Sequence, residues 1–182
     1  MSLSGWSYVL GLVCAVSGGF VVVRPSDASR ALNAFPRNAV SGYVLSVIAW
    51  VWAGWAVYMM DLDIINPYKY LLPFLVLACI PLTWFWMGNL LPCRALAGIL
   101  TLFPYGLFLV ARSHPSSWRQ VLIAFAYLAI VMGMIYMLYP WKLRQHIIWV
   151  TARPALLRSL GMVHVLLGIL MIALGATVFR QL

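Results

Sequence analysis

Apolar residues run along this chain in long blocks, and the polar positions gather between the blocks instead of alternating through them. Six blocks stand out, at 6–23, 39–60, 71–91, 95–111, 120–139 and 159–179. A bilayer core of about 30 Å needs about 20 apolar residues per helix. The pattern therefore predicts an all-α membrane protein, a single integral domain of six transmembrane helices. The 95–111 block is the shortest, and a re-entrant segment is its alternative. Pro92, Cys93 and Arg94 are expected to form a tight turn ahead of it.

The polar positions orient the bundle. The first connection carries Arg24, Arg30 and Arg37, the third Arg94, and the fifth Lys142, Arg144, Arg153 and Arg158. Six spans put these on one side. Lys69, Arg112, Arg119 and Arg180 fall on the other, with Asp61 and Asp63. Eight of the twelve Lys and Arg thus share a side. Lys and Arg favour the cytoplasmic side, so both termini are expected outside, most simply across the plasma (inner) membrane. A re-entrant fourth block would move the very basic fifth connection outside, which favours six full spans. Trp6, Tyr58, Tyr68, Tyr70 and Trp118 fall at the predicted outer boundary, and Tyr43, Tyr139, Trp141 and Trp149 at the inner one. Such aromatic belts mark membrane interfaces. A short interfacial helix is expected over 141–152. The first block lacks the basic flank of a cleaved signal peptide and is read as a retained helix.

Composition narrows the chemistry. Hydrophobic residues make up 65% and charged residues 8%, against about 25% charged in soluble domains. The net charge of +9 is read as helix-flanking charge meeting anionic headgroups, not as a nucleic-acid surface. The chain has three Asp and no Glu. Those Asp lie outside the apolar runs or at their ends, whereas proton relays usually keep an acid inside the membrane. Cys14, Cys79 and Cys93 form no CxxC and suggest neither a disulfide framework nor a metal site. No metal and no cofactor is expected.

Small residues line single faces of three blocks: Gly11, Ala15 and Gly18; Gly42, Ser46, Ala49 and Ala53; Gly161, Gly168 and Gly175. They permit close backbone approach and are expected at the packed centre.

Three constellations carry candidate chemistry. Arg112, His114 and Arg119 lie in one outer connection, on the side of Asp61 and Asp63. They suit an ion-pair network pinning two loops, or a site for an anionic headgroup or acidic partner. Pro81 and Pro104 interrupt adjacent blocks near mid-membrane. With Trp50, Trp84 and Tyr105 they suggest a midplane cavity between the second, third and fourth spans; ordinary kinked helices are the plainer reading. His164 lies about two turns inside the sixth block and is expected to be a buried polar group facing inward. His146 in a loop and His114 on the far side do not pair with it for haem.

No catalytic motif is present: there is no G-x-S-x-G elbow and no phosphate-gripping glycine loop. Asp61, Asp63 and Asn66 supply too few oxygens for a metal. The chain reads as a non-catalytic subunit or scaffold that binds membrane lipids, through anionic headgroups, or another membrane protein or a second copy. A small transporter with the midplane cavity is the alternative. A lipid-modifying enzyme using the Arg/His/Asp cluster is a further one.

Overall fold

The computed structural model describes residues 2–61, 63, 66–88 and 90–179. Among them are eight α-helices and no strand. They are α1 (Leu3–Val23), α2 (Pro25–Ala34), α3 (Ala39–Tyr58), α4 (Leu72–Trp86), α5 (Leu91–Ala111), α6 (Arg119–Leu138), α7 (Pro140–Thr151) and α8 (Pro154–Thr177). Short 3-10 segments, Phe35–Arg37 and Asn66–Leu71, lead into α3 and α4. Six helices are long and apolar enough to cross a membrane: α1, α3, Asn66–Trp86, α5, α6 and α8.

Several boundaries differ from the sequence expectation. Pro92 does not make a turn; it sits in the first turn of α5. A proline there forfeits only an N–H that would have no helical partner, and its fixed φ suits the helix. The fourth span thereby reaches 21 residues. The chain reverses just before it, where Leu90 adopts φ 58°. The third span ends at Trp86, and the sixth starts at Pro154. α2 was not anticipated. Its signals were Pro25 at the first position, Asp27 in the first turn and an Asp27–Arg30 pair at 3.3 Å. The interfacial helix expected at 141–152 is α7, one residue earlier at each end.

Small residues set the packing. α1 and α8 run antiparallel, with Ser7 facing Gly175, Gly11 facing Gly168 and Gly18 facing Gly161. A Cβ on Gly168 would lie 2.6 Å from the Ala15 nitrogen and the Gly11 oxygen. The Ser7 hydroxyl donates to the Met171 carbonyl at 2.5 Å across the same seam. α5 and α6 meet through Gly133, which rests on Ala97 and Thr101. α3 lies parallel to α5, Gly42 against Pro92 and Ala49 against Gly98.

Two clusters tie these pairs together. Leu3, Leu107, Ala111, Leu122, Leu174 and Phe179 join α1, α5, α6 and α8 at one end. Cys93, Ala97, Tyr136 and Leu143, with Phe35 and Ile147, join α5, α6 and α7 at the other. The second end is the basic end. There α2 and α7 lie beside each other, and the Asn33 amide donates to the Thr151 hydroxyl at 3.1 Å. α4 packs chiefly on α3 and buries none of its residues.

Gly168→Ala should force α1 and α8 apart, because the atoms it meets are backbone. We expect a loss of about 1–3 kcal/mol in reversible unfolding in detergent. Gly19→Ala, whose Cβ would meet nothing within 4 Å, should be neutral.

Candidate functional site

On α3, Ser46, Ala49, Trp50 and Ala53 fall on one face at helical spacing. Two indoles bracket α4 against that face. The Trp50 Nε1–H donates to the Thr83 hydroxyl at 2.9 Å, which donates to the Cys79 carbonyl at 2.6 Å. The Trp84 Nε1–H donates to the Ser46 hydroxyl at 2.7 Å, which donates to the Tyr43 carbonyl at 2.8 Å. The Tyr43 and Trp84 rings lie 4.9 Å apart. Each donor thus has its acceptor without water, as hydrocarbon surroundings require.

These brackets hold α4 to α3 but not to α5. Between the three helices lies a cavity of about 430 Å³. Its α5 wall is Leu91, Arg94, Ala95, Gly98, Thr101 and Leu102, again one helix face, and Met137 of α6 borders it. The small side chains Ala49, Ala53, Ala95 and Gly98 leave the space open. Arg94 and Leu102 stand eight residues apart, about 12 Å along the helix, so the cavity runs from the basic end toward mid-membrane.

Among the described residues, Arg94 is the only charged one lining it. Its Nε is buried and has no hydrogen-bond partner among the described residues. A buried, unpaired guanidinium N–H costs far more than a satisfied one. The arrangement offers a fork of donors at one end of an otherwise largely apolar slot. That suits a carboxylate, phosphate or sulfate carried on a hydrocarbon chain.

Of the residues expected to form a midplane cavity, Trp50 lines this one. Trp84 does not line it but anchors the bracket through Ser46. Pro81 is exposed on α4, and Tyr105 is half-buried away from the cavity. Pro104 is fully buried, on the α5 stripe of Cys93, Ala97 and Ala111. A proline in an apolar run marks a helix irregularity, not a face. In sequence Arg94 reads as part of a turn and as an orienting charge, and nothing local marks its Nε as unpartnered.

The cluster of Arg112, His114, Arg119, Asp61 and Asp63 divides into two separate arrangements. Arg119 Nη1 donates to the Ala111 and Arg112 carbonyls, each at 3.3 Å, and to the His114 carbonyl. It therefore caps the C-terminus of α5. The Ser116 N–H donates to His114 Nδ1 at 3.3 Å, and the His114 ring meets Phe179 edge-on at 5.2 Å. Asp61 pairs with Lys69 at 3.6 Å, and Lys69 sits over the Tyr58 ring. Asp63 and Arg112 are exposed. Among the described residues no ion pair links Asp61 or Asp63 to Arg112, His114 or Arg119. The expected network does not form, because free helix-end carbonyls beside Arg119 are nearer acceptors than acids on another loop. Arg180 lies outside the described residues.

His164 is exposed, correcting its reading as a buried polar group. Its Nδ1 hydrogen-bonds the Leu160 carbonyl at 2.9 Å, within α8 itself. Its Cβ packs against Gly18 of α1, and the residue borders a groove of about 200 Å³ with Ser17, Val21 and Leu32. No group of three His, Cys, Asp or Glu among the described residues converges on a metal position.

Comparison with protein-family models, with curated proteins and with solved structures gives no match.

The capping role separates Arg119 from Arg112. Arg119→Gln should cost about 1.5–3 kcal/mol, the usual range for hydrogen bonds involving a charged group. Arg112→Gln should leave the unfolding midpoint unchanged.

Proposed function

We propose that this protein holds an anionic lipid, or a similar single-chain amphiphile, in the slot between α3, α4 and α5. The acidic headgroup meets Arg94 and the chain runs along Gly98 and Leu102. The observation that carries this reading is the buried Arg94 Nε without a partner, at the end of a cavity lined mostly by hydrocarbon. The protein then acts as a non-catalytic lipid-binding subunit or scaffold of the plasma (inner) membrane. The basic end faces the cytoplasm, supported by eight of twelve Lys and Arg gathered there.

Native mass spectrometry of gently extracted protein tests the lipid. We expect a retained anionic lipid on the wild type, one bound lipid fewer in Arg94→Ala, and weaker retention in Arg94→Lys, which keeps charge but not the fork. Lipid at about one hundred times its Kd for the slot should stabilise the wild type by about 2.7 kcal/mol, and Arg94→Ala should lose that increment. A wild type that carries no lipid and gains no stability from any would sink the proposal, and solute flux in liposomes would then be measured.

Orientation has its own test. With the basic end in the cytoplasm, alkaline phosphatase fused after the last residue should be active in a bacterial host. A fluorescent protein fused there through the same secretion route should stay dark. The reverse pattern would invert the topology.

A further inference from the structure

A second cleft opens at the basic end, beside the slot but on different charges. One chamber of about 430 Å³ is lined by Arg37 and Arg144 together with Tyr43, Leu90 and Leu91. A second, of about 210 Å³, adjoins it and is lined by the same two arginines and Asn33. We infer that this cleft, between the 3-10 segment Phe35–Arg37, the start of α5 and α7, binds a phosphate-type anion gripped by Arg37 and Arg144. The site touches the lipid slot at Leu91 but shares no charged residue with it.

Three features converge. First, the two arginines stand on separate elements that one cluster clamps together. Phe35 precedes Arg37 by two residues, and Leu143 immediately precedes Arg144. Both pack with Cys93 of α5 and Tyr136 of α6. The backbone beneath each guanidinium is therefore placed before any ligand arrives. Second, the N-terminus of α5 opens into the same cleft and has no side-chain cap. Pro92 has no N–H and the Cys93 N–H bonds the Leu90 carbonyl at 3.0 Å, so the helix dipole, not a set of free amides, adds to the attraction for an anion. Third, the chain supplies no counter-charge. Of its three acids, Asp27 is the one at this end, and it pairs with Arg30 at 3.3 Å. Among the described residues, neither Arg37 nor Arg144 pairs with an acid. Arginine presents two parallel N–H donors to phosphate oxygens. The same oxygens are offered by an anionic lipid headgroup and by free phosphate.

The test uses the full chain in neutral detergent. Inorganic phosphate is titrated calorimetrically, and phosphatidylglycerol and phosphatidylcholine are added separately under native mass spectrometry. The phosphatidylglycerol arm is repeated in Arg94→Ala, so that the slot does not contribute. R37Q/R144Q should weaken binding at least about tenfold. R153Q/R158Q removes the same charge from the same end and should change it by less than about twofold. Binding of inorganic phosphate assigns the site to a soluble anion. Binding of phosphatidylglycerol alone assigns it to a headgroup. A wild type that binds neither, or equal losses in the two double variants, would overturn the site. If R37Q/R144Q fails to fold, R37K/R144K decides, since lysine cannot fork: weakened binding supports the cleft and unchanged affinity overturns it. A cleft that binds while Arg94→Ala retains every lipid of the wild type would remove the slot reading alone.

Discussion

Close approach of helix backbones is the interaction on which this structure depends. In hydrocarbon, burying leucine against leucine gains little over burying it against lipid. Dispersion between surfaces that fit is left to hold helices together, and it decays within about an ångström of separation. Ser7, Gly11 and Gly18 on α1 meet Gly161, Gly168 and Gly175 on α8 for this reason. Gly133 does the same for α6 on α5. The two closely packed pairs are then tied at their ends by larger side chains, around Leu107 and Leu122 at one end and around Cys93 and Tyr136 at the other.

α4 is attached differently, and the difference creates the slot. It meets α3 through the indoles of Trp50 and Trp84, bonded to Thr83 and Ser46. Those bulky brackets stand it away from α5, whose facing residues Ala95 and Gly98 are small. Gly54 of α3 also rests against Val76 of α4, but the indole brackets and the small α5 side chains leave volume where the other pairs close completely. Arg94 at the end of that volume completes its character. With one acid at the basic end against eight cations, most arginines there must be satisfied by water, by carbonyls or by anions that the chain does not provide.

Particular residues show how far the sequence could be read. The heptad spacing of Gly161, Gly168 and Gly175 correctly marked an intimate seam, because glycine has few other reasons to recur on one helix face. The same spacing misleads for His164: proximity to that face does not bury a ring, and here the ring stays exposed and bonds the Leu160 carbonyl of its own helix. Arg119 was read toward distant acids, yet the carbonyls ending its own neighbouring helix were closer. Pro92 was read as a turn, although a proline is equally suited to open a helix.

By itself, the sequence determined that the chain is helical, that six stretches are long and apolar enough to span a membrane, and that its cations lie between those stretches or at their ends. Those properties follow from backbone satisfaction and solvent transfer, which act residue by residue. Only the tertiary structure decided that α4 stands off α5, that Arg94 looks into the resulting slot, and that Arg37 and Arg144 share a cleft. These depend on which faces meet and how closely. In a bilayer nearly every face is apolar, so hydropathy does not distinguish the face that meets lipid from the face that meets protein.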